Sequence, residues 1–81
     1  MTYETDLIRA GHAIRAHRQA LGLSQEQLAE RAGLHRNYVG FLERGERNAS
    51  LTTLFRLSHA LSLSLGELFA GVEISSSTVE L

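Results

Sequence analysis

The apolar positions of this chain recur at helical spacing almost from end to end. Over residues 6–21, Leu7, Gly11, Ile14, Arg18 and Leu21 fall on one stripe of a 3.6-residue period. Thr2 or Thr5 is the cap expected for this helix, and Gly22 supplies a left-handed stop. Arg18 is a charge on the inward stripe, tolerable there only with a carboxylate partner. In the segment SQEQLAERAG, Ser24 can accept from the Gln27 backbone N–H while the Gln27 side chain reaches back, a capping box. Leu28, Ala29 and Ala32 form the apolar face of this second helix, and Gly33 closes it. A third helix is expected from about Arg36 to Arg44, ended by Gly45, with Val39 and Leu42 inward and Leu34 as a hydrophobic staple. Ser50 caps a fourth, whose inner stripe is Leu51, Leu54, Leu57 or Ser58, and Leu61. Ser64 and Glu67 form a second capping box, opening a short fifth helix that carries Leu65, Leu68 and Phe69. After Gly71 the pattern changes to VEISSSTVEL, a tail that frays or assists a dimer.

The pattern therefore predicts an all-α chain of five helices with no repeat and no second domain. Its domain spans residues 1–71 and its tail residues 72–81. Eighty-one residues allow one small domain, and a chain of that size buries only about 60–65% of its unfolded surface. There is no cysteine for a disulfide framework or a thiolate metal site. The opening MTYETDLIRA is acidic where a signal peptide needs positive charge, and Arg56, His59 and Glu67 interrupt the longest apolar run. A cytoplasmic protein with no membrane span is the expectation. The net charge of −1 does not suggest a polyanion partner. Yet every basic residue is arginine, with Arg36, Arg44, Arg47 and Arg56 mid-chain and several carboxylates near the ends. A near-neutral total is compatible with one basic face. Scattered, solvated arginines are the alternative.

Function is concentrated in residues 25–44. Ala29 is small where a second helix must cross closely, and Gly33, four residues on, allows a turn at positive φ. Val39 and Leu42 follow at offsets that lock the second helix onto the first. These are the mechanical requirements of a helix-turn-helix. The text IRAHRQALGLSQEQLAERAGLHRNYVGFLERGERNASLTTLFRLSHAL resembles the phage repressor and Cro type (XRE-type) of helix-turn-helix transcriptional regulators, over roughly residues 8–70. Within it, RNYVGFLERGERNASLTTL is similar to the small controller proteins of restriction–modification systems.

The resemblance implies a compact repressor-like domain that binds double-stranded DNA as a homodimer on a pseudo-palindromic operator. The helix from Arg36 would enter the major groove. Arg36 would donate two bonds to guanine, Asn37 would pair with adenine, and Tyr38 would meet a thymine methyl or a phosphate. Gly40 occupies a groove-facing position where relatives often carry a polar side chain; close approach of the backbone and a lost contact are both open. Gln25, His35, Arg44, Arg47 and Asn48 are the phosphate-binding candidates. By the same resemblance Arg18 pairs with Glu43, tying the first helix to the recognition helix. The dimer surface is expected from Leu65, Leu68, Phe69, Val72 and Ile74.

Plainer roles compete for several of these residues. His35 and Asn37 suit helix capping, Arg9 and Arg15 suit solvated positions, and Tyr38 and Phe41 suit the core, Phe41 more so. His12 and His17 diverge around a helix and share no further ligand, which argues against zinc. No nucleophile–base pair or phosphate-binding glycine loop stands out, so neither an enzyme nor a cofactor is expected. The rival class is an antitoxin subunit or adaptor using the same fold to hold another protein.

Overall fold

A computed structural model describes residues 3–72 of the chain. Thr2 and the tail from residue 73, including Ile74, lie outside the described residues. Within them the fold is all-α: α1 (Tyr3–Ala20), α2 (Gln25–Ala32), α3 (Arg36–Glu43), α4 (Leu51–Ala60) and α5 (Leu65–Leu68). None of these helices is long and apolar enough to cross a membrane.

Local chemistry sets the boundaries. Both capping boxes form, Ser24 with Gln27 and Ser64 with Glu67, and the Ser50 hydroxyl accepts from the Thr53 backbone N–H. Such caps satisfy N–H groups that a helix start leaves without partners, at about 1 kcal/mol each. Thr5 lies inside α1 rather than at its start. At the other end of α2, Gly33 adopts φ 70°. That left-handed residue lets Leu34 N–H donate to the Ala29 carbonyl at 2.8 Å and redirects the chain into α3.

The core gathers residues from every helix. Leu28, Val39, Leu57 and Leu68 are completely buried, with Ile14, Leu23, Ala29, Ala32, Leu42 and Leu61 around them. α2 packs on α3 and α4, α1 on α3, and α5 on α4 and α1. The α1–α3 contact is a backbone-on-backbone approach at Gly11. A Cβ there would lie 2.5 Å from the Glu43 carbonyl oxygen and closer still to that of Leu42. Any side chain at position 11 would force α1 away from the end of α3.

Two stripe assignments are corrected. Leu21 is 50% exposed, because α1 ends at Ala20 and the chain is already turning; Leu23 takes the inner place. Leu51 is 60% exposed. As the first residue of α4 its side chain leans back past the helix start, where no neighbouring element covers it.

Candidate nucleic-acid interface

The helix-turn-helix is held by a buried polar cluster. Arg18 Nε donates to Glu43 Oε2 at 2.6 Å and Nη2 to Oε1 at 3.0 Å, a two-pronged pair. Arg18 Nη1 donates to the Leu23 carbonyl at 2.6 Å, and Gln25 Nε2 donates to Glu43 Oε1 at 3.0 Å. Side chains of α1 and α2 thus meet the α3 carboxylate of Glu43, and the Arg18 guanidinium also ties in the α1–α2 turn. Among the described residues no buried side-chain polar atom lacks a partner, so the desolvation of both charges is met by directed hydrogen bonds. Glu43 points into the protein and takes nothing from the outer face.

On that outer face, the start of α3 is presented by its own cap. His35 Nδ1 accepts from the Asn37 backbone N–H at 3.1 Å, which leaves the neutral ring's proton on Nε2, available to a phosphate oxygen. Arg36 and Asn37 are exposed. The Arg36 guanidinium lies 3.6 Å from Glu26 of α2, with both side chains about two-thirds exposed or more. Glu26 is a member of this face that sequence reasoning did not single out. Its place beside Arg36 depends on how α2 and α3 cross.

An open cleft of about 360 Å³ runs between α2 and α3, lined by Gln25 and Glu26 on one side and by Arg36, Asn37, Gly40, Phe41 and Arg44 on the other. Gly40 is its floor. Phe41 is half-buried and is not part of the core, contrary to the expectation for an aromatic beside Leu42. Its ring instead lies under two guanidiniums, Arg44 at 5.2 Å and Arg47 at 4.7 Å from the centroid. Cation–π attraction gathers both charges at the C-terminal end of α3, and Glu46 adds a pair to Arg44 at 3.2 Å. Tyr38 takes the role closer to the core. Its ring packs against the core and its hydroxyl donates to the Asn48 carbonyl at 3.0 Å, bracing the loop that carries Arg47 and Asn48.

The predicted residues therefore separate. Arg36, Asn37 and Arg44 line the α2–α3 cleft, His35 caps α3 at its start, and Arg47 joins this face over the Phe41 ring, whereas Arg47 and Asn48 also line the groove against α1. Gln25 is anchored inward through its amide nitrogen, and its Oε1 stays at the cleft. The dimer candidates scatter. Leu68 is completely buried within the domain and has no surface to offer a partner, which corrects its assignment. Phe69 and Val72 line an apolar groove of about 380 Å³ against α1, with Leu7, Ile14 and Leu54. Leu65 is half-buried on another face, beside the exposed Phe55. Among the described residues no three His, Asp or Glu side chains converge as a metal site.

Comparison with known proteins agrees with this fold. The helix-turn-helix family HTH_3 matches residues 14–68. Control protein C.SmaI of Serratia marcescens is 53% identical over 55 residues, 68% of this chain and 66% of that protein, so the match spans just under two thirds of the relative. The restriction-modification controller protein C.AhdI of Aeromonas hydrophila superposes with a TM-score of 0.79 at 49% identity, over 80% of this chain and 98% of that one. SinR, a master regulator for biofilm formation solved in complex with DNA, superposes with a TM-score of 0.70 at 33% identity, over 74% of this chain and 97% of that one.

Proposed function

This chain belongs to the HTH_3 helix-turn-helix family of DNA-binding transcriptional regulators, and on that premise we propose that it is a sequence-specific regulator that binds a pseudo-palindromic operator as a homodimer. The observation that carries the reading is the division of labour on α3. Val39, Leu42 and Glu43 are buried, while Arg36, Asn37, Arg44 and Arg47 stand together on the outside. In this reading α3 lies in the major groove, Arg36 reads guanine and Asn37 reads adenine. His35 Nε2, Arg44, Arg47 and Asn48 hold phosphates and set register. The likeness to restriction-modification control proteins supports a regulator of that kind, acting in the cytoplasm where its DNA is.

The dimer surface is the face shared by α4 and α5, where Phe55 is 53% exposed next to Leu63 and Leu65. A second copy would cover it and place two copies of α3 one turn of DNA apart, about 34 Å. Phe55→Arg is expected to shift the protein to a monomer in sedimentation equilibrium.

Operator selection from random DNA, followed by titration, tests the whole reading. Arg36→Ala should cost about 1–3 kcal/mol on the selected site and relax one base preference. Arg47→Ala should weaken all sequences alike and flatten the salt dependence. Wild-type behaviour of both variants would show that the face is misassigned. The apolar groove between α1, α4 and Phe69 favours the second reading, a module that holds another protein. A stable heteromeric partner in a pull-down, with no enriched operator, would put that reading first.

A further inference from the structure

Gly40 is held by packing far less strictly than Gly11. It lies mid-helix in α3, where glycine costs about 1 kcal/mol relative to alanine. A Cβ at that position would meet Arg44 Nη1 at 3.2 Å, the end of an exposed side chain, and Gln25 Oε1 at 3.4 Å, on an amide tied to Glu43, and no backbone. Gly11 is the contrast: there an added Cβ would strike the carbonyl backbone of α3. Packing demands glycine at position 11 and does not demand it at position 40.

What Gly40 shapes is the floor of the cleft on the DNA-facing side. It stands one turn after Arg36 and one turn before Arg44, so the three share a stripe of α3. The Phe41 ring lines the same cleft. The result is a shallow seat whose floor is the buried Gly40 backbone, overlain by the ends of Arg44 and Gln25 that a base would displace. The Phe41 ring is its wall, and Arg36, suited to guanine O6 and N7, stands beside it. In the major groove one base carries a small apolar projection at this depth, thymine with its 5-methyl group.

We propose that Gly40 and Phe41 form a seat for the 5-methyl group of a thymine in the half-site, so that Gly40 is a specificity-determining residue. The proposal rests on the DNA-binding reading above. It assigns a positive function to the missing side chain: the seat favours thymine over cytosine, which lacks the methyl.

The test uses the full chain and its selected operator, with each thymine of the half-site replaced in turn by uracil, which removes one methyl and nothing else. Wild type should lose about 4-fold in affinity at one thymine, the worth of one buried methyl. Gly40→Val fills the seat and should bring the thymine-to-uracil ratio at that position to about 1 or below. Gly40→Ala, measured alongside, should fold with a raised Tm, which shows that the glycine is kept for binding rather than for folding. The proposal is overturned if no thymine-to-uracil change affects wild type, or if Gly40→Val keeps the wild-type ratio. If an operator is selected and Arg36→Ala weakens it while uracil has no effect, only the seat fails. If no operator is selected, the seat and the DNA-binding reading fall together.

Discussion

Two arginine–glutamate pairs lie on opposite sides of the helix-turn-helix, and they differ in almost everything except chemistry. Arg18 and Glu43 meet at 2.6 Å with side chains 10% and 2% exposed, and each is fixed by further hydrogen bonds. Arg36 and Glu26 meet at 3.6 Å with side chains 65% and 72% exposed. The first pair cannot separate without leaving a charge in a low-dielectric interior. The second is screened by water and worth well under about 1 kcal/mol. One arginine is thus committed to the fold, while the other is held loosely, as the proposed base contact requires. Burying one charge of each sign leaves the net charge of the exterior unchanged at −1, so any basic face comes from where the remaining arginines stand.

The comparison can be broken most severely at Glu43. Glu43→Ala leaves Arg18 buried without its carboxylate and should destabilise the domain by about 3–5 kcal/mol in urea denaturation. That is a large share of a total on the order of 4–12 kcal/mol for this length. Replacing both partners, Arg18→Met with Glu43→Leu, should recover most of the loss, because no orphan charge remains. A double variant no more stable than Glu43→Ala would mean that the cluster is needed for its geometry rather than its charge balance.

A smaller effect is expected at the outer pair. Glu26→Ala should stay within about 0.5 kcal/mol of wild-type stability. Because it removes a carboxylate from the proposed DNA-facing side, it should also raise non-specific DNA affinity by about 2- to 3-fold at low salt, fading as salt is added. A stability loss comparable to that of Glu43→Ala would erase the distinction between the two pairs.

The smallest effect sharpens the contrast at a third carboxylate, Glu67. Hydrogen bonds from the Ser64 backbone N–H and hydroxyl hold its carboxyl below the ordinary value of 4.5. A folded-state value below the unfolded one stabilises the fold above that unfolded value, and the contribution is lost as pH falls through the lower folded value. Glu67→Gln keeps the cap's reach but has no proton to take up. Thermal melts below about pH 4.5 should therefore fall slightly less steeply for the variant than for wild type. An identical acid limb in both would exclude Glu67 as a contributor.

Much of the fold was legible along the chain because its signals are local. Ser24 with Gln27, Ser64 with Glu67, and Gly33 at positive φ depend on residues within four positions of one another. Any chain with that text makes those turns the same way. Arg18 was marked as a charge needing a partner by its stripe alone, although its partner, 25 positions away, came from family resemblance. Periodicity failed where a helix ends or begins, at Leu21 and Leu51, since the 3.6-residue rule holds only while the helix continues and a neighbour is present. Residue type misled at Phe41, expected in the core, and at Leu68, expected at a dimer surface. An apolar side chain looks the same in sequence whether it meets a core, two guanidiniums or a second subunit.

By itself, then, the sequence determined the helices, their caps and turns, the helix-turn-helix and the family. Those follow from short-range hydrogen bonding and residue type. Only the tertiary structure decided that Phe41 lies outside the core beneath two guanidiniums, that Glu26 stands beside Arg36, and that Leu68 is interior. It alone distinguished two glycines, Gly11 pressed against backbone and Gly40 beneath the ends of two side chains. Such distinctions depend on how α1, α2 and α3 cross, and a crossing is set by the summed packing of residues far apart in the chain, which no local pattern encodes.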